Sequence, residues 1–362
     1  MKLAALQKKL LASLTAAALG TAIAFTAVPV PTAAAGWGSV IGAIAGDAAQ
    51  YNAATKQIKY YDNEGREEFF QDLKNKYGVN DDADLNNRLA GIMGNLSSAI
   101  AAVDPSINDK PYNYFINTDT TFNAFCSLGH NMSVNTGLFS LIDNDDEIAV
   151  VLGHEMGHGQ KNHVAKSYVK QLRVNILADI IAGSSGQTVG AVFANYASAT
   201  QVTKPQEWEA DNLAFDYITH SSYNPGACAA IWQRVIEKQG GNSQNFAGEI
   251  FSPSDHPSNE QRRDNYAQKL REYSGNKIAV KNGLVQVNGK DFVTPAASDT
   301  MSGPERAYFV AGNLAAFCHS HAALPTAYVQ DGTVMLGDQS IMTPNASDES
   351  AETLAARLNS IK

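Results

Sequence analysis

Apolar residues recur every three or four positions along much of the chain. This spacing, with acidic and Lys residues between the apolar ones, predicts amphipathic helices at residues 57–104, 206–218, 227–238 and 259–273. Short apolar runs at 112–116 and 132–134 predict strands on either side of residues 123–125. The pattern therefore favours a mainly α-helical domain with a small β-sheet, which is an α+β arrangement.

The pattern changes after residue 275. Two stretches that begin at Val280 and Val329, and the Thr-Pro-x-Ala-Ser-Asp segments that follow them, lie 49 residues apart. Each stretch predicts a hairpin, and each is followed by an amphipathic segment, at 304–317 and 350–361. We predict a tandem ββα repeat that forms an accessory domain over residues 276–362. Chance similarity of two hairpins explains the shared Thr-Pro segments less well.

The first 35 residues have the composition of an export signal. Lys2, Lys8 and Lys9 precede an almost wholly apolar run at 10–28, and small residues at 33–35 offer a cleavage site. We expect a signal peptide over 1–35, a main folded domain over 36–275, and a periplasmic or extracellular location. The apolar run is long, so an uncleaved membrane anchor is the alternative. We expect no other segment to span a membrane.

Composition narrows the possible partners. The chain has 362 residues, 44% of them hydrophobic, and a formal net charge of −9. It has no block of Lys or Arg, so we expect no nucleic-acid binding. In an exported protein, Cys126, Cys228 and Cys318 can form one disulfide and leave one free thiol, with the pairing left open.

Residues 154–158 carry the clearest chemistry. They spell His-Glu-x-x-His in a segment predicted to be a helix that begins at Asn144, with Glu147 completing a capping box. On a helix, His154 and His158 share one face and can bind one metal ion, while Glu155 can reach a water beside that ion. We expect one Zn²⁺ per chain. The helix is expected to run past residue 164 toward Ile181, with a break after the motif as the alternative.

Two glycines on the same predicted helix bear on its packing. Gly153 and Gly157 lie four residues apart and therefore share a face. Glycine is a poor helix former, so two at this spacing suggest that another backbone approaches closely there.

A third metal ligand must come from elsewhere in the chain. The spacing of one class of zinc peptidases requires Gly and His where this chain has Lys161 and Val164. His163 lies nine residues after His154, which on a continuous helix places it on the opposite face, as a structural or surface histidine. That class is therefore excluded, and His163 is not expected to be a ligand.

The best third ligand is Glu207, on the next predicted helix. Asp211 lies four residues later on the same face and is expected to accept a hydrogen bond from a ligand histidine. Glu209 is expected to be solvated. Ordinary acidic surface residues would be the default interpretation of such a pair, but the preceding His-Glu-x-x-His makes it the less favoured one.

Four segments, taken in order, resemble the gluzincin peptidases of the HtpX, BepA and CAAX-prenyl-protease family, in its soluble periplasmic branch. They cover about residues 85–275 and comprise 123–125 with 134–138, 153–158 with His163, 207–211, and 255–257 with Arg262. The resemblance implies a zincin-type catalytic domain and polypeptide substrates that are misfolded or associated with the cell envelope. The C-terminal repeat falls outside it.

The resemblance also implies roles for individual residues. Glu155 would act as general base on the attacking water, and an extended peptide would lie along the strand near Asn123, which could hold its backbone. Arg262 could bind substrate or regulate. His256 could stabilise an oxyanion, fill the open metal position, or cap the helix that follows it.

We therefore predict a zinc metalloendopeptidase. One alternative is a chaperone-like envelope assembly factor with little proteolysis. Another is a binding protein that the C-terminal repeat directs to an envelope or cell-wall partner. The intact Glu155 argues against a purely non-catalytic role.

Overall fold

A computed structural model describes residues 51–170, 172, 202–239 and 257–362. The predicted signal peptide and His256 lie outside these residues. Ala53–Lys170 and Thr200–Lys362 belong to one compact unit. None of the helices in the described part of the chain is both long and apolar enough to cross a bilayer.

Helices dominate the region before residue 276. They are α1 (Arg66–Tyr77), α2 (Ala83–Val103), α3 (Thr136–Leu141), α4 (Asp145–Gln160), α5 (Lys204–Thr219), α6 (Ala227–Gln239) and α7 (Asn259–Tyr273). Residues 51–62 and 163–170 are also helical. The prediction of a mainly helical α+β region is confirmed, since the helices pack against one small sheet.

The small sheet contains three strands, β1 (Asn113–Asn117), β2 (Ala124–Ser127) and β3 (Asn131–Asn135). Their order is β1-β3-β2, with β1 parallel and β2 antiparallel to β3. Strand β2 therefore lies at an edge of this sheet, and it contacts helix α4.

Helix α4 begins where the sequence predicts. The Asn144 side chain accepts hydrogen bonds from the backbone N–H groups of Asp146 (2.8 Å) and Glu147 (3.2 Å). Glu147 does not complete the capping box, because its carboxylate instead accepts hydrogen bonds from Arg234. The helix ends at Gln160, so the expected continuation past residue 164 is wrong and the alternative, a break after the motif, is observed.

Helices α4 and α5 lie close together at Gly157. A Cβ atom at this position would come within 3.2 Å of the Ala210 carbonyl oxygen and 3.3 Å of its Cα. At Gly153 the same construction leaves 3.8 Å to the Cα of Ala214, which is ordinary contact. The close backbone approach expected at both glycines is therefore tight at Gly157 only.

The C-terminal region contains two similar units. The first has strands β4 (Ile278–Lys281), β5 (Leu284–Val287) and β6 (Lys290–Val293) and then α8 (Gly303–Ser320); the second has β7 (Ala327–Gln330), β8 (Thr333–Leu336) and β9 (Gln339–Met342) and then α9 (Ala351–Ile361). Corresponding strands begin 49 residues apart. Each sheet is a three-stranded antiparallel meander. The expected two strands per unit are therefore wrong by one, because the third strand has its two more exposed residues first and its two buried residues together, without the alternation typical of a strand.

One continuous apolar core joins the helical region to these units. It includes Leu96 of α2, Trp232 of α6, Leu314 of α8 and Leu358 of α9. The backbones also meet directly, since a Cβ atom on Gly312 would lie 2.5 Å from the Gly226 nitrogen.

The three cysteines lie apart in this core. Cys126, Cys228 and Cys318 are buried free thiols. Burial raises the thiol pKa of each of them. The disulfide that the export signal allowed is thus not formed.

Candidate active site

Helices α4 and α5 bring three ligand atoms together in the interior. The Nε2 atoms of His154 and His158 lie 3.0 Å apart, and the Glu207 carboxylate lies 3.6 and 3.4 Å from them, respectively. All three residues are buried, with 3–4% of their surface exposed. Within the described ranges they are the group of His, Cys, Asp and Glu side chains close enough to hold a metal ion.

Asp211 fixes the orientation of the first histidine. Its Oδ1 atom lies 2.9 Å from His154 Nδ1, and Arg262 Nη2 lies 3.0 Å from the same nitrogen. Because an ionised carboxylate can only accept, we assign the Nδ1 proton to the shorter contact with Asp211, which keeps the lone pair of Nε2 for the cluster. Burial is the largest single influence on the pKa of Asp211 and would raise it, but the Arg262 guanidinium and His154 together outweigh burial and hold that pKa below its ordinary value. Asp211 therefore stays ionised at neutral pH.

Arg262 supports this carboxylate from the other side. It donates from Nε to Asp211 Oδ2 at 2.7 Å and pairs a second time through Nη2, while Tyr266 donates to Asp211 Oδ1 at 3.0 Å. The guanidinium stacks on the Trp232 ring at 3.7 Å and is 1% exposed. The structure places Arg262 beneath the ligands, at 3.9 Å from Glu207, and not on an open surface.

Glu155 lies next to the ligands without joining them. Its Oε2 atom accepts a hydrogen bond of 3.1 Å from the backbone N–H of Cys126 in edge strand β2. Glu155 is 9% exposed, more than any of the three ligands. The edge strand thus holds this carboxylate at the more open side of the site.

The second histidine has a partner that the sequence interpretation missed. His163 is 1% exposed, and its Nδ1 lies 2.9 Å from His158 Nδ1. Its other nitrogen lies 3.1 Å from the Glu209 carboxylate. The expectation that His163 faces away from the site is therefore wrong. Glu209 is exposed, as expected of a solvated side chain, and its carboxylate also contacts His163.

The wrong prediction for His163 has a local cause in the backbone. Helix α4 ends at Gln160, and Asn162 takes a left-handed conformation with φ of 51° before residues 163–170 resume as a helix. His163 is thus not on the same helix as His154, and counting residues around one helix does not place it. An Asn directly before His163 was the only local signal of this turn.

The electrostatics of the two histidines differ. Burial lowers the pKa of His163 to about 4, helped by the neighbouring His158, so its imidazole is neutral near pH 7. Burial alone would also lower the pKa of His158, but the Glu207 carboxylate outweighs it and raises that pKa.

The donor set fits zinc. Tetrahedral zinc with bonds of about 2.1 Å keeps its ligand atoms roughly 3.4 Å apart, and the three distances here are 3.0, 3.4 and 3.6 Å. With Nδ1 of His154 assigned as the donor to Asp211, the Nε2 lone pair of His154 faces the Glu207 carboxylate, and a cation between them satisfies both. Two imidazoles and one carboxylate are ligands that zinc accepts.

The remaining predicted residues are placed differently. Asn123 is half-buried directly before β2, and its carbonyl accepts a hydrogen bond from Asn135 of β3 at 2.9 Å. It is therefore at the edge of the sheet that Glu155 contacts. His256 lies outside the described residues.

A site that joins two histidines of a His-Glu-x-x-His helix to a glutamate on a following helix defines the gluzincin class of metallopeptidases. Comparison with protein families agrees. The model of peptidase family M48 matches residues 87–272, and the chain belongs to this family. It is a zinc metalloendopeptidase.

Several curated proteins are similar to parts of this chain. The metalloprotease LoiP of Escherichia coli (strain K12) is 27% identical over 184 residues, covering 49% of this chain and 68% of that protein. A beta-barrel assembly-enhancing protease of Yersinia pestis is 27% identical, and the mitochondrial metalloendopeptidase OMA1 of Arabidopsis thaliana is 31% identical. These two matches cover 35% and 40% of this chain and 29% of either relative.

Proposed function

We propose that this protein hydrolyses peptide bonds of exported polypeptides, with Glu155 as general base. The observation that carries the proposal is the position of Glu155, whose carboxylate is beside the His154–His158–Glu207 cluster yet bonded to edge strand β2. When bound, zinc supplies the Lewis acid that activates water and stabilises negative charge. Glu155 takes the proton of the attacking water and gives it to the leaving amine.

The substrate is proposed to bind as an extended strand beside β2. Backbone groups two residues apart in a strand point to the same side, so those of Ala124 face the same way as the Cys126 N–H that Glu155 contacts. A peptide that adds to this edge would carry its scissile bond past Glu155. Asn123, at the start of the edge, would help to align the peptide backbone.

We propose misfolded or envelope-associated proteins as substrates. The signal-like residues 1–35 would send the enzyme out of the cytoplasm, to a periplasmic or extracellular location. One similar protein is named for enhancing β-barrel assembly and for being a protease, which supports substrates of this kind. An envelope or cell-wall partner for residues 276–362 stays a prediction.

Glu155→Gln tests the proposal. Gln keeps the size and the acceptor for Cys126 but cannot take a proton, so casein cleavage should fall by roughly 10²- to 10⁴-fold. Zinc content should remain one ion per chain, since Glu155 is not a ligand. Cleavage by the variant at the rate of the wild type would contradict the proposal. A variant that no longer cleaves but keeps its biological activity would favour the assembly-factor alternative.

A further inference from the structure

On the side that faces away from the metal-ligand cluster, His158 contacts a second histidine. His158 Nδ1 lies 2.9 Å from His163 Nδ1, and His163 Nε2 lies 3.1 Å from a Glu209 carboxylate oxygen. Neither ring nitrogen of His163 faces solvent, because the residue is 1% exposed. Its two contacts therefore determine where its proton lies.

The direction of each hydrogen bond follows from Glu209, the last residue in this series of contacts. An ionised carboxylate only accepts, so His163 must donate from Nε2 to Glu209. A neutral imidazole carries one N–H, which leaves His163 Nδ1 as an acceptor. His158 must then donate from Nδ1, and its Nε2 lone pair points at His154 and Glu207.

We propose that His163 and Glu209 are a positioning pair that holds His158 in the tautomer that binds zinc. Glu209 accepts a hydrogen bond from His163 Nε2, and His163 Nδ1 accepts one from His158 Nδ1, so the proton of His158 stays on Nδ1. The pair orients His158 as Asp211 orients His154, except that the carboxylate of Glu209 acts through an additional imidazole ring. The inference deepens the proposed function, since it rests on the zinc site formed by α4 and α5.

Without Glu209, nothing fixes which nitrogen of His163 carries its proton. His163 can then carry its proton on Nδ1 and donate to His158 Nδ1, and in that case His158 carries its own proton on Nε2. That proton occupies the lone pair needed by the metal. Partners of this kind change metal affinity by roughly 10- to 100-fold in known metal sites.

The fold allows a clean test, because Glu209 is exposed and its partner is not. The Glu209 side chain is 49% exposed, so its removal leaves no cavity in the core. Glu209→Ala removes the acceptor, whereas Glu209→Gln keeps an oxygen that can accept from His163. Asp216→Ala is the matched control, because Asp216 is another exposed acid on α5, seven residues away.

Two measurements on the full chain decide the proposal. Zinc affinity is measured by competition with a chromophoric chelator, and the His158 tautomer by ¹⁵N NMR of the metal-free protein at a pH above the raised His158 pKa, where the imidazole is neutral. We expect Glu209→Ala to bind zinc about tenfold or more weakly, with part of His158 protonated on Nε2. Glu209→Gln and Asp216→Ala should both stay within about threefold of the wild type. Thermal unfolding of the metal-free proteins should be unchanged, which separates positioning from stability.

The outcomes separate this inference from the proposed function. If the wild type binds zinc and Glu209→Ala binds it equally well with His158 still protonated on Nδ1, the positioning role is overturned while the enzyme assignment stands. If Glu209→Gln weakens zinc binding as much as Glu209→Ala does, charge and not tautomer is responsible, and the proposal is also wrong. A wild type that binds no zinc would instead overturn the proposed function.

Discussion

Several charged residues of this protein are buried, and one group of them lies away from the metal site. Glu147 at the start of α4 and Glu305 at the start of α8 share the guanidinium of Arg234 on α6. Arg234 binds Glu147 closely, at 2.8 Å, and leaves Glu305 at 3.6 Å. One cation thus faces two buried carboxylates, and Glu305 is the less well paired.

Glu305 should make stability depend on pH. Its burial raises its pKa from 4.5 to about 7, so the folded protein favours the protonated form. The resulting contribution is full below about pH 4.5 and is lost as pH rises through 7. Gln cannot ionise, so Glu305→Gln should become more stable relative to the wild type by roughly 2 kcal/mol between pH 5 and pH 8. Urea unfolding of both proteins at the two pH values measures this.

Glu352→Gln is the control for that experiment. Glu352 occupies the first turn of α9 as Glu305 does in α8, but it is exposed. Its replacement should change stability equally at both pH values. A Glu305→Gln variant that behaves in the same way would show that Glu305 is already ionised in the fold.

At the residue scale, the sequence predicts what regular spacing determines. His154 and His158 are four apart on one helix, as are Glu207 and Asp211, and the structure brings all four together. His163 could not be placed in this way, because its position depends on the turn at Asn162. The contact that Arg262 makes with Asp211 joins residues 51 apart in the chain, which no local pattern encodes.

At the scale of elements, the packing of α4 on α5 sets the metal site. Helix α4 supplies two ligands and α5 supplies the third, so a shift of one helix changes the ligand distances directly. The helices approach each other more closely at Gly157, one residue before ligand His158, than at Gly153. Gly153 is on the same face of α4, one turn earlier, where a methyl group has room.

These two glycines should respond differently to alanine. Gly157→Ala forces the backbone of Ala210 to move by a few tenths of an ångström, and Glu207 moves with it. A 1 Å misplacement costs about 100-fold in rate, so this smaller shift should lower casein cleavage by roughly tenfold. Gly153→Ala should keep full activity and gain up to about 1 kcal/mol of stability from helix propensity.

Activity assays and urea unfolding of both variants check this expectation. Equal loss of activity in the two would mean that glycine is needed for flexibility of α4 and not for its approach to α5. Full activity in Gly157→Ala would mean that α5 gives way without moving Glu207.

The bounds of α5, α6 and α7 were predictable to within two residues, while the C-terminal strand count was not. The predicted helix at 259–273 is observed as α7 with the same bounds, because Ser258 caps it and its apolar spacing is regular. Strands β6 and β9 were missed because their two buried residues are adjacent, at the end of the strand. Such a run lacks the alternation of buried and more exposed residues that marks β5 and β8.

At the scale of the whole molecule, the boundary at residue 276 stays a prediction from the change in pattern. Several contacts cross it. Asn224 donates to the Phe309 carbonyl at 3.0 Å and to Asn313 at 2.9 Å, and Arg234 donates to the Thr300 carbonyl at 3.0 Å. Apolar side chains from both sides also share one core. We therefore expect the two regions to unfold together, although the sequence suggests separate domains.

Gly312→Ala tests whether they do. A Cβ atom on Gly312 would lie 1.8 Å from the Asn224 Oδ1 atom and 2.5 Å from the Gly226 nitrogen, so α8 must move away from the turn before α6. Overpacking of this kind costs about 3 kcal/mol. In one cooperative unit the loss reaches the metal site, so the fluorescence of Trp208 and Trp232 and the far-UV circular dichroism should shift together to lower urea.

Gly94→Ala on α2 is the control, because nothing lies within 4 Å of a Cβ atom there, and it should leave the transition unchanged or raise it. The alternative to one cooperative unit makes a different prediction for Gly312→Ala. If residues 276–362 fold as a separate domain, circular dichroism should show an early partial transition while the tryptophan fluorescence and zinc binding stay at their wild-type midpoints. The accessory region could then be exchanged without loss of enzyme activity. A single coincident transition would instead mean that residues 276–362 help to hold α6 and α7 in place and, through Arg262 of α7, the metal ligands.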